Sequence, residues 1–412
     1  MHILFLTDNF PPEVNAPATR TLDHASVWVE AGHQVTIITC VPNFPIGKVF
    51  KGYKNKPIQV EYINNIRVIR VWSYVAPNEG FAKRILDFLS FMISSFLAGM
   101  TVRNVDVVVG TSPQFFTGIS ACAIALLKRR PFVFEVRDLW PESLRAVGVL
   151  RNNLIFKMLE KIEHCLYRKA SQIVVVTNSF KKHLVNRGIE EEKIHVVTNG
   201  IDTKKFKPRS KDTNLLQELS LLDKFVVGYI GTHGMAHSLE TVIESATILS
   251  ASPQHEDIII IMLGDGASRD DLLRKAEGLK NIKFIRSVSK SEVSNYWSIL
   301  DASIVHLKKN SLFETVIPSK IFESMGMGIP ILHGVQGESA DIIKRYNAGI
   351  LFEPESAQSL TECIKNIHSD PKKRVELKEG GLSAVEKFDR DFLARKMLEV
   401  FAKAILPLQQ PK

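Results

Sequence analysis

The residues best suited to chemistry lie in PSKIFESMGMGIPIL, residues 318 to 332. Pro318 and Ser319 read as a helix start, which puts Lys320 in the first turn. A lysine there opposes the partial positive charge of the helix N-terminus, so its natural partner is an anion. Together with free first-turn N–H groups it makes a phosphate site. Glu323 falls three residues on, on the same face, where it can accept hydrogen bonds from vicinal hydroxyls such as those of a ribose. In FVVGYIGTHGMAHS, Gly231 and Gly234 let the backbone approach a phosphate closely, and a helix beginning near Ser238 aims its N–H groups there. His233 and His237 add potential donors. Gly264 and Gly266 follow the apolar run IIIIML, and Arg286 and Lys308 are further cations within reach in sequence.

The first half carries a second set. DNFPPEVNAPATR follows an apolar run and opens a helix, with Asn15, Ala16 and Pro17 at its tip and Arg20 just inside. RDLWPES places Arg137 and Asp138 after another buried run, where Asp138 is suited to orient or deprotonate a hydroxyl, or equally to cap a helix. Trp140 is suited to stack on a sugar face. Asp138 and Lys320 are the catalytic candidates; Asn15, Ala16, Arg20, Arg137 and Trp140 are candidates for holding an acceptor. No DxD triad or metal-ligand cluster is visible, so helix N-termini and Lys320 are expected to carry a leaving anion without a metal or other cofactor. Neither a G-x-G-x-x-G nor a P-loop occurs, which sets aside a dinucleotide-binding dehydrogenase and a P-loop NTPase.

These residues need scaffolds. HILFLT, QVTIIT, IRVIRVW, VDVVVGT, FVFEV and QIVVVT read as strands buried on both faces, and FVVGYIG, IIIIMLG, NIKFI, ASIVHL and IPILHG repeat the pattern. Helical spacing lies between several of them, as in Thr19 to Ala31 and Leu154 to Lys169. Alternation of this kind predicts α/β doubly wound parallel sheets, one in each half. The basic, proline-broken stretch Lys204 to Asp223 reads as a linker. The expected division is a domain over 1–200, a second over 201–385, and a helical tail over 386–412 returning to the first, with ligands in a cleft at the carboxyl ends of both sheets.

At 412 residues, 45% hydrophobic and 24% charged, the chain has room for two cores. Its four cysteines are far apart and read as core residues of a reducing compartment. MHILFLTDNF reads as a buried strand and not as a signal peptide, so a cytoplasmic location is expected. Residues 111–210 carry 18 Lys and Arg against 9 Asp and Glu, a surplus equal to the +9 of the whole chain. Such a block suits an anionic partner or is simply a solvated basic face.

The segment around Lys320 and Glu323 resembles the donor-site helix of the retaining GT-B glycosyltransferases of family 4, in which a glutamate contacts the ribose of a nucleoside diphosphate sugar. VVGYIGTHGMAHSLETVIESA, IIIIMLGDG and AGILFEPESAQSL resemble, in order, the same family's phosphate loop, the strand beside the base and the stretch after the donor helix. VPNFPIGKVFKGY and VFEVRDLWPESL resemble a subgroup serving O-antigen and capsule assembly. The resemblance implies Gly231, His233, Gly234, Gly264, Gly266, Arg286, Lys320 and Glu323 as the donor site. It also implies a UDP-sugar, N-acetyl-L-fucosamine within that subgroup, and a polyprenyl-diphosphate-linked glycan as acceptor. Two departures stand out: Thr232 to His237 hold no Arg–Lys pair, and Thr315, not a glutamate, lies eight residues before Glu323, with Glu314 one position off.

Residues 81–102, FAKRILDFLSFMISSFLAGMTV, form the most apolar helical stretch. Asp87, Ser90 and Ser94 on one stripe argue against a membrane span. Shallow insertion into an inner leaflet through Phe88, Phe91, Met92 and Phe96 is one expectation, with Lys157, Lys161, Arg168 and Lys169 attracting anionic lipid; packing on the sheet is the other. A sugar-nucleotide 2-epimerase or a GDP-sugar-dependent fucosyl- or mannosyltransferase remains open. A nucleic-acid binder, suggested by charge alone, lacks any recognisable module and is not expected.

Overall fold

Strands rich in Val and Ile, buried on both faces, need helices on either side, and both halves are built that way. A computed structural model describes every residue except 45–46, 76–80, 113, 143–152, 290 and 410–412. Ser143 of RDLWPES therefore lies outside the described residues. The chain divides into two compact units, one of Met1–Asn199 with Arg390–Lys412 and one of Gly200–Asp389.

The first unit holds an eight-stranded sheet of β1 (His2–Leu6), β2 (Gln34–Cys40), β3 (Ile58–Ile63), β4 (Ile66–Val71), β5 (Val107–Thr111), β6 (Phe132–Val136), β7 (Gln172–Val175) and β8 (Ile194–Val196). Their order is β3-β4-β2-β1-β5-β6-β7-β8, and every pairing is parallel except β3 with β4. Helix α1 (Ala16–Glu30) packs against one face together with the C-terminal helix Arg390–Gln409. Trp28 fixes that pairing, donating its indole N–H to the Ala394 carbonyl at 2.9 Å with its ring 5.1 Å from that of Phe401. The opposite face carries α2 (Phe81–Thr101), α3 (Phe115–Lys128) and α4 (Asn153–Lys169) over a core that includes Phe91, Phe134 and Tyr167.

The second unit has a six-stranded, all-parallel sheet of β9 (Phe225–Ile230), β10 (Ile258–Leu263), β11 (Ile282–Ile285), β12 (Ala302–His306), β13 (Ile331–Gly334) and β14 (Gly349–Leu351). The order β11-β10-β9-β12-β13-β14 makes the junction of β9 and β12 the point where the winding reverses, and in such sheets ligands bind outside the carboxyl ends at that point.

The stretch Lys204 to Asp223 is not a free linker. Asp212 caps a helix over Thr213–Glu218, and Leu215, Leu216 and Leu221 are buried with Trp297 in the second unit's core. The polar residues hid an amphipathic turn. The chain crosses between units at 199–200 and 389–390.

Candidate functional site

In the second unit the donor-side candidates gather at the winding reversal. The helix Lys320–Met327 begins after Ser319 and ends at Gly328, which adopts φ 68° to turn the chain into β13. Its N–H groups are less available than the sequence implied. Those of Ile321, Phe322 and Glu323 close onto the Pro318 and Ser319 carbonyls. Lys320 is the cation at this helix start. Its ammonium lies 3.7 Å from the centroid of the Tyr229 ring, and among the described residues no hydrogen bond engages its Nζ. Burial pulls its pKa down to about 7, with Glu323 pulling it back. Glu323 is half-buried in the first turn of the same helix.

The glycines explain themselves by what a side chain would strike. A Cβ on Gly231 would occupy the space of the Lys320 ammonium and its Cε. A Cβ on Gly264 or Gly266 would strike the carbonyl of Gly231 or of His233, so these two let the β10 loop lie against the β9 loop. Gly234, at φ −112°, has only ordinary contacts, and its backbone needs no glycine.

His233 is a buried partner of the site. It has no exposed surface, its ring lies 5.9 Å from Tyr229 and 6.2 Å from Phe284, and among the described residues neither ring nitrogen has a hydrogen-bond partner. Burial, with Arg269 and Lys320 nearby, pulls its pKa down to about 4. His237 is held at about 4 in the same way, and His306, which accepts the Glu355 N–H at 3.0 Å, also sits at about 4. His306 and His333 were missed in the sequence, since each sits in a short, mostly apolar strand that is buried throughout. Arg286 and Lys308 are exposed. Arg286 stands beside Asp265, whose carboxylate accepts the Ser287 N–H at 2.8 Å. Glu314 lies in a 3-10 turn, exposed, with its carbonyl against Gly337.

In the first unit several candidates prove structural. Arg20 is buried: its Nε meets Glu135 at 3.1 Å, and its two terminal nitrogens donate to the carbonyls of Thr198 and Val197 at 2.7 and 3.1 Å. All three of its side-chain nitrogens are engaged, which ties α1 to the sheet. Trp140 is only 7% exposed and stacks on Phe115 with centroids 4.7 Å apart, so it is a core residue and no platform for a sugar. Asn15 is the N-cap of α1, accepting the Ala18 N–H at 2.9 Å, while Ala16 beside it is exposed. Arg137 is different. Among the described residues its Nε and Nη1 are buried without hydrogen-bond partners, and burial pulls its pKa down to about 10 despite Glu135. It and half-buried Asp138 follow β6, with both backbone N–H groups donating to the Ser112 hydroxyl at 2.7 and 3.2 Å.

Three further carboxyls meet at the carboxyl end of β1. Burial, the Asp87 charge and the Glu13 charge push Asp8 up to about 8, and burial raises Asp87 to about 6. Glu13 accepts the Asn43 and Phe44 N–H groups at 2.8 Å each, leaving Oε2 unpartnered. Asp8 and Glu13 belong to the loop already singled out, but Asp87 arrives from α2, and no spacing in sequence joins them.

On α2 the expected contact residues face the other way. Phe91 has no exposed surface, Phe96 packs on the same core and Phe88 lies 6.3 Å from Phe116. Met92 is half-buried. The outward stripe is Leu86, Ile93, Leu97 and Met100. By length and composition this helix is apolar enough to cross a membrane.

Residues 18–205 match the sequence profile of Glycosyltransferase Family 4, and residues 211–383 match that of Glycosyl transferases group 1. The chain is a GT-B glycosyltransferase. It is 24% identical over 388 residues to the colanic acid biosynthesis glycosyl transferase WcaI assigned in Escherichia coli K12, covering 90% of this chain and 93% of that one. To the capsular polysaccharide biosynthesis glycosyltransferase CapM of Staphylococcus aureus it is 21% identical over 281 residues, 65% and 69% of the two chains. Anabaena HepE in complex with UDP-glucose has the same fold, with a TM-score of 0.70 at 16% identity over 98% and 99% of the chains. In the second unit the Lys320 helix, the β9 loop and the β10 loop lie together, and in the first unit Arg137 and Asp138 follow β6.

Proposed function

We propose that this glycosyltransferase moves a sugar from a UDP-sugar, N-acetyl-L-fucosamine within the subgroup it resembles, to a polyprenyl-diphosphate-linked glycan in capsule or O-antigen assembly. The new bond keeps the donor's anomeric configuration, and no metal is required. The observation that carries the donor reading is the Lys320 ammonium, unengaged by any hydrogen bond among the described residues and set in the gap that Gly231 leaves. A diphosphate there would meet a cation whose charge burial has made costly, and the pairing would restore that charge as the leaving group develops its own. Glu323, in the same turn, would accept from the ribose hydroxyls. In the first unit, Asp138 would orient the acceptor hydroxyl, beside the unpartnered Arg137 guanidinium. WcaI and CapM, whose names place them in polysaccharide synthesis, support the pathway class.

The same reading sets the chain against the inner face of the cytoplasmic membrane. Leu86, Ile93, Leu97 and Met100 on α2 and Leu154, Ile155 and Met158 on α4 give an apolar surface bordered by Lys83, Arg84, Lys157 and Lys161.

Calorimetric titration with UDP, GDP and ADP, repeated on Glu323→Ala, tests the donor site. The expected result is selective UDP binding that the substitution weakens. GDP selectivity would move the sugar to fucose or mannose, and no nucleotide binding at all would remove the donor assignment.

A further inference from the structure

A second basic site lies at the opposite end of the first unit's sheet. Arg129, Arg130, Pro131, Ser171, Gln172, Lys403 and Ala404 line a recess of about 450 Å³. Arg130 and Pro131 lead into β6, and Ser171 precedes β7, which Gln172 opens, so the recess opens at the amino ends of these strands. Arg137 and Asp138 leave β6 at its other end, about 17 Å away for a five-residue strand. The wall opposite is supplied by the C-terminal helix through Lys403 and Ala404.

The charge of this recess is uncompensated. No carboxylate is among the residues lining it. Among the described residues, no hydrogen bond or ion pair engages the side chains of Arg129, Arg130 or Lys403, and all three are exposed. The backbone holds the two arginines in place. Arg129 adopts the left-handed conformation at φ 53° as the C-cap of α3, and the Arg129 and Arg130 N–H groups bond back to Leu126 and Ala125 at 3.2 and 2.9 Å. An arginine in a position that favours glycine or asparagine carries a conformational cost, which a charged ligand would offset. In the last turn of α3, just before Arg129 in the chain, Leu126 and Leu127 are both more than half exposed. The volume is within the range of small-molecule sites, and two guanidinia with an ammonium are the donors that suit phosphate oxygens.

We infer that this recess binds a phosphate ester, held by Arg129, Arg130 and Lys403, at a site separate from the donor and acceptor residues. Exposed Leu126 and Leu127, in the turn that leads into Arg129, suit an ester that carries an alkyl chain, as a phospholipid headgroup does; a free phosphate ester uses the same three cations. The bound anion bridges β6 and β7 to the C-terminal helix and so stabilises the docking of that helix. The inference is independent of the donor-site reading, since it uses none of the same residues.

The test uses the full chain carrying Lys320→Met, so that phosphate probes report on the recess and not on the donor site. Glycerol 1-phosphate and dihexanoyl phosphatidylglycerol are titrated calorimetrically, and the melting temperature is followed with each. Saturable binding and a raised melting temperature are expected, with affinity lowered about tenfold or more by R129Q/R130Q and also lowered by K403Q. The control pair K51Q/K56Q, two exposed lysines to which no role is assigned, should leave binding of both soluble probes unchanged. Tighter binding of the lipid assigns a headgroup, and equal binding of the two assigns a free phosphate ester. No saturable binding, or binding that the arginine and lysine variants leave intact, overturns the site. Equal losses in K51Q/K56Q would also overturn it, because the effect would then be one of net charge.

Discussion

The Lys320 ammonium rests 3.7 Å from the centre of the Tyr229 ring, in space that only a glycine at 231 leaves open. Burial sets its pKa at about 7, so the free protein near neutrality holds this lysine only partly charged. A diphosphate favours the charged form, so binding takes up a proton wherever the free lysine is neutral. Nucleotide affinity should therefore fall as pH rises through and above about 7, by up to about tenfold per pH unit, and level off below it. Titrations from mildly acid to alkaline pH in buffers of different ionisation enthalpy read both the affinity and the proton. Lys320→Arg, always charged, should flatten the profile, and Lys320→Met should weaken binding at every pH. An unchanged slope in the arginine variant would assign the proton elsewhere.

Two glycines should fail in different ways. At Gly231 an added methyl meets the flexible end of Lys320, and at φ 147° it also strains the backbone, so Gly231→Ala should cost nucleotide affinity together with about 1–3 kcal/mol of stability while the protein still folds. At Gly264 the methyl meets the Gly231 carbonyl, which cannot step aside. Gly264→Ala should lose about 2–4 kcal/mol of stability, with both loops disturbed. Paired denaturant unfolding and UDP titrations on the two variants separate the effects.

Asp8 offers a pH test of its own. Its folded pKa of about 8 is above the ordinary carboxylate value, so the folded state retains a proton that the unfolded chain has released. The stabilisation from this group is complete below about pH 4 and is lost as pH rises through 8. Asp8→Asn should flatten that decline between pH 4 and 8, measured as melting temperature against pH.

Arg20 and Trp140 show why part of the site was not legible. In sequence both follow strands, where function and architecture ask for the same residue types. Arg20 turns out to neutralise buried Glu135, whose carboxyl it holds, with Arg137, below the usual range despite burial. Trp140 fills the core beside Phe115. Arg20→Ala should cost about 3–5 kcal/mol by stranding Glu135, and Trp140→Ala about 3–5 kcal/mol by opening a cavity. Unfolding curves measure both, and a change confined to acceptor KM would restore them to the acceptor site. The strands themselves were legible because parallel strands buried on both faces leave unbroken Val and Ile runs. Strand β3 was not, since its apolar Ile58, Val60 and Tyr62 are exposed and alternate with polar residues, and β8 and β14 have three residues each. Lys320 and Glu323 were legible because helix-start signals fix position within a turn, whereas the Asp8–Asp87 pairing depends on tertiary packing alone.

Helix α2 carries apolar residues around most of its circumference, so periodicity left its orientation undecided. Its inward stripe of Phe91, Ala98 and the partly buried Phe96 fills the core, and its outward stripe is Leu86, Ile93, Leu97 and Met100. The two stripes predict opposite phenotypes. Phe91→Ala should lose about 3–5 kcal/mol of stability, with vesicle binding by the folded fraction intact. Ile93→Glu with Leu97→Glu replaces two residues that are 56% and 60% exposed, so stability should change little. If α2 meets lipid, that pair should abolish most binding to phosphatidylglycerol-containing vesicles, because each glutamate adds a charge to the face that would enter the headgroup region and removes an apolar side chain from it. Cosedimentation at two salt concentrations reads the outcome. Salt-sensitive binding that survives the double glutamate would transfer the attachment to the basic residues alone, and α2 would then be a helix of the fold and nothing more.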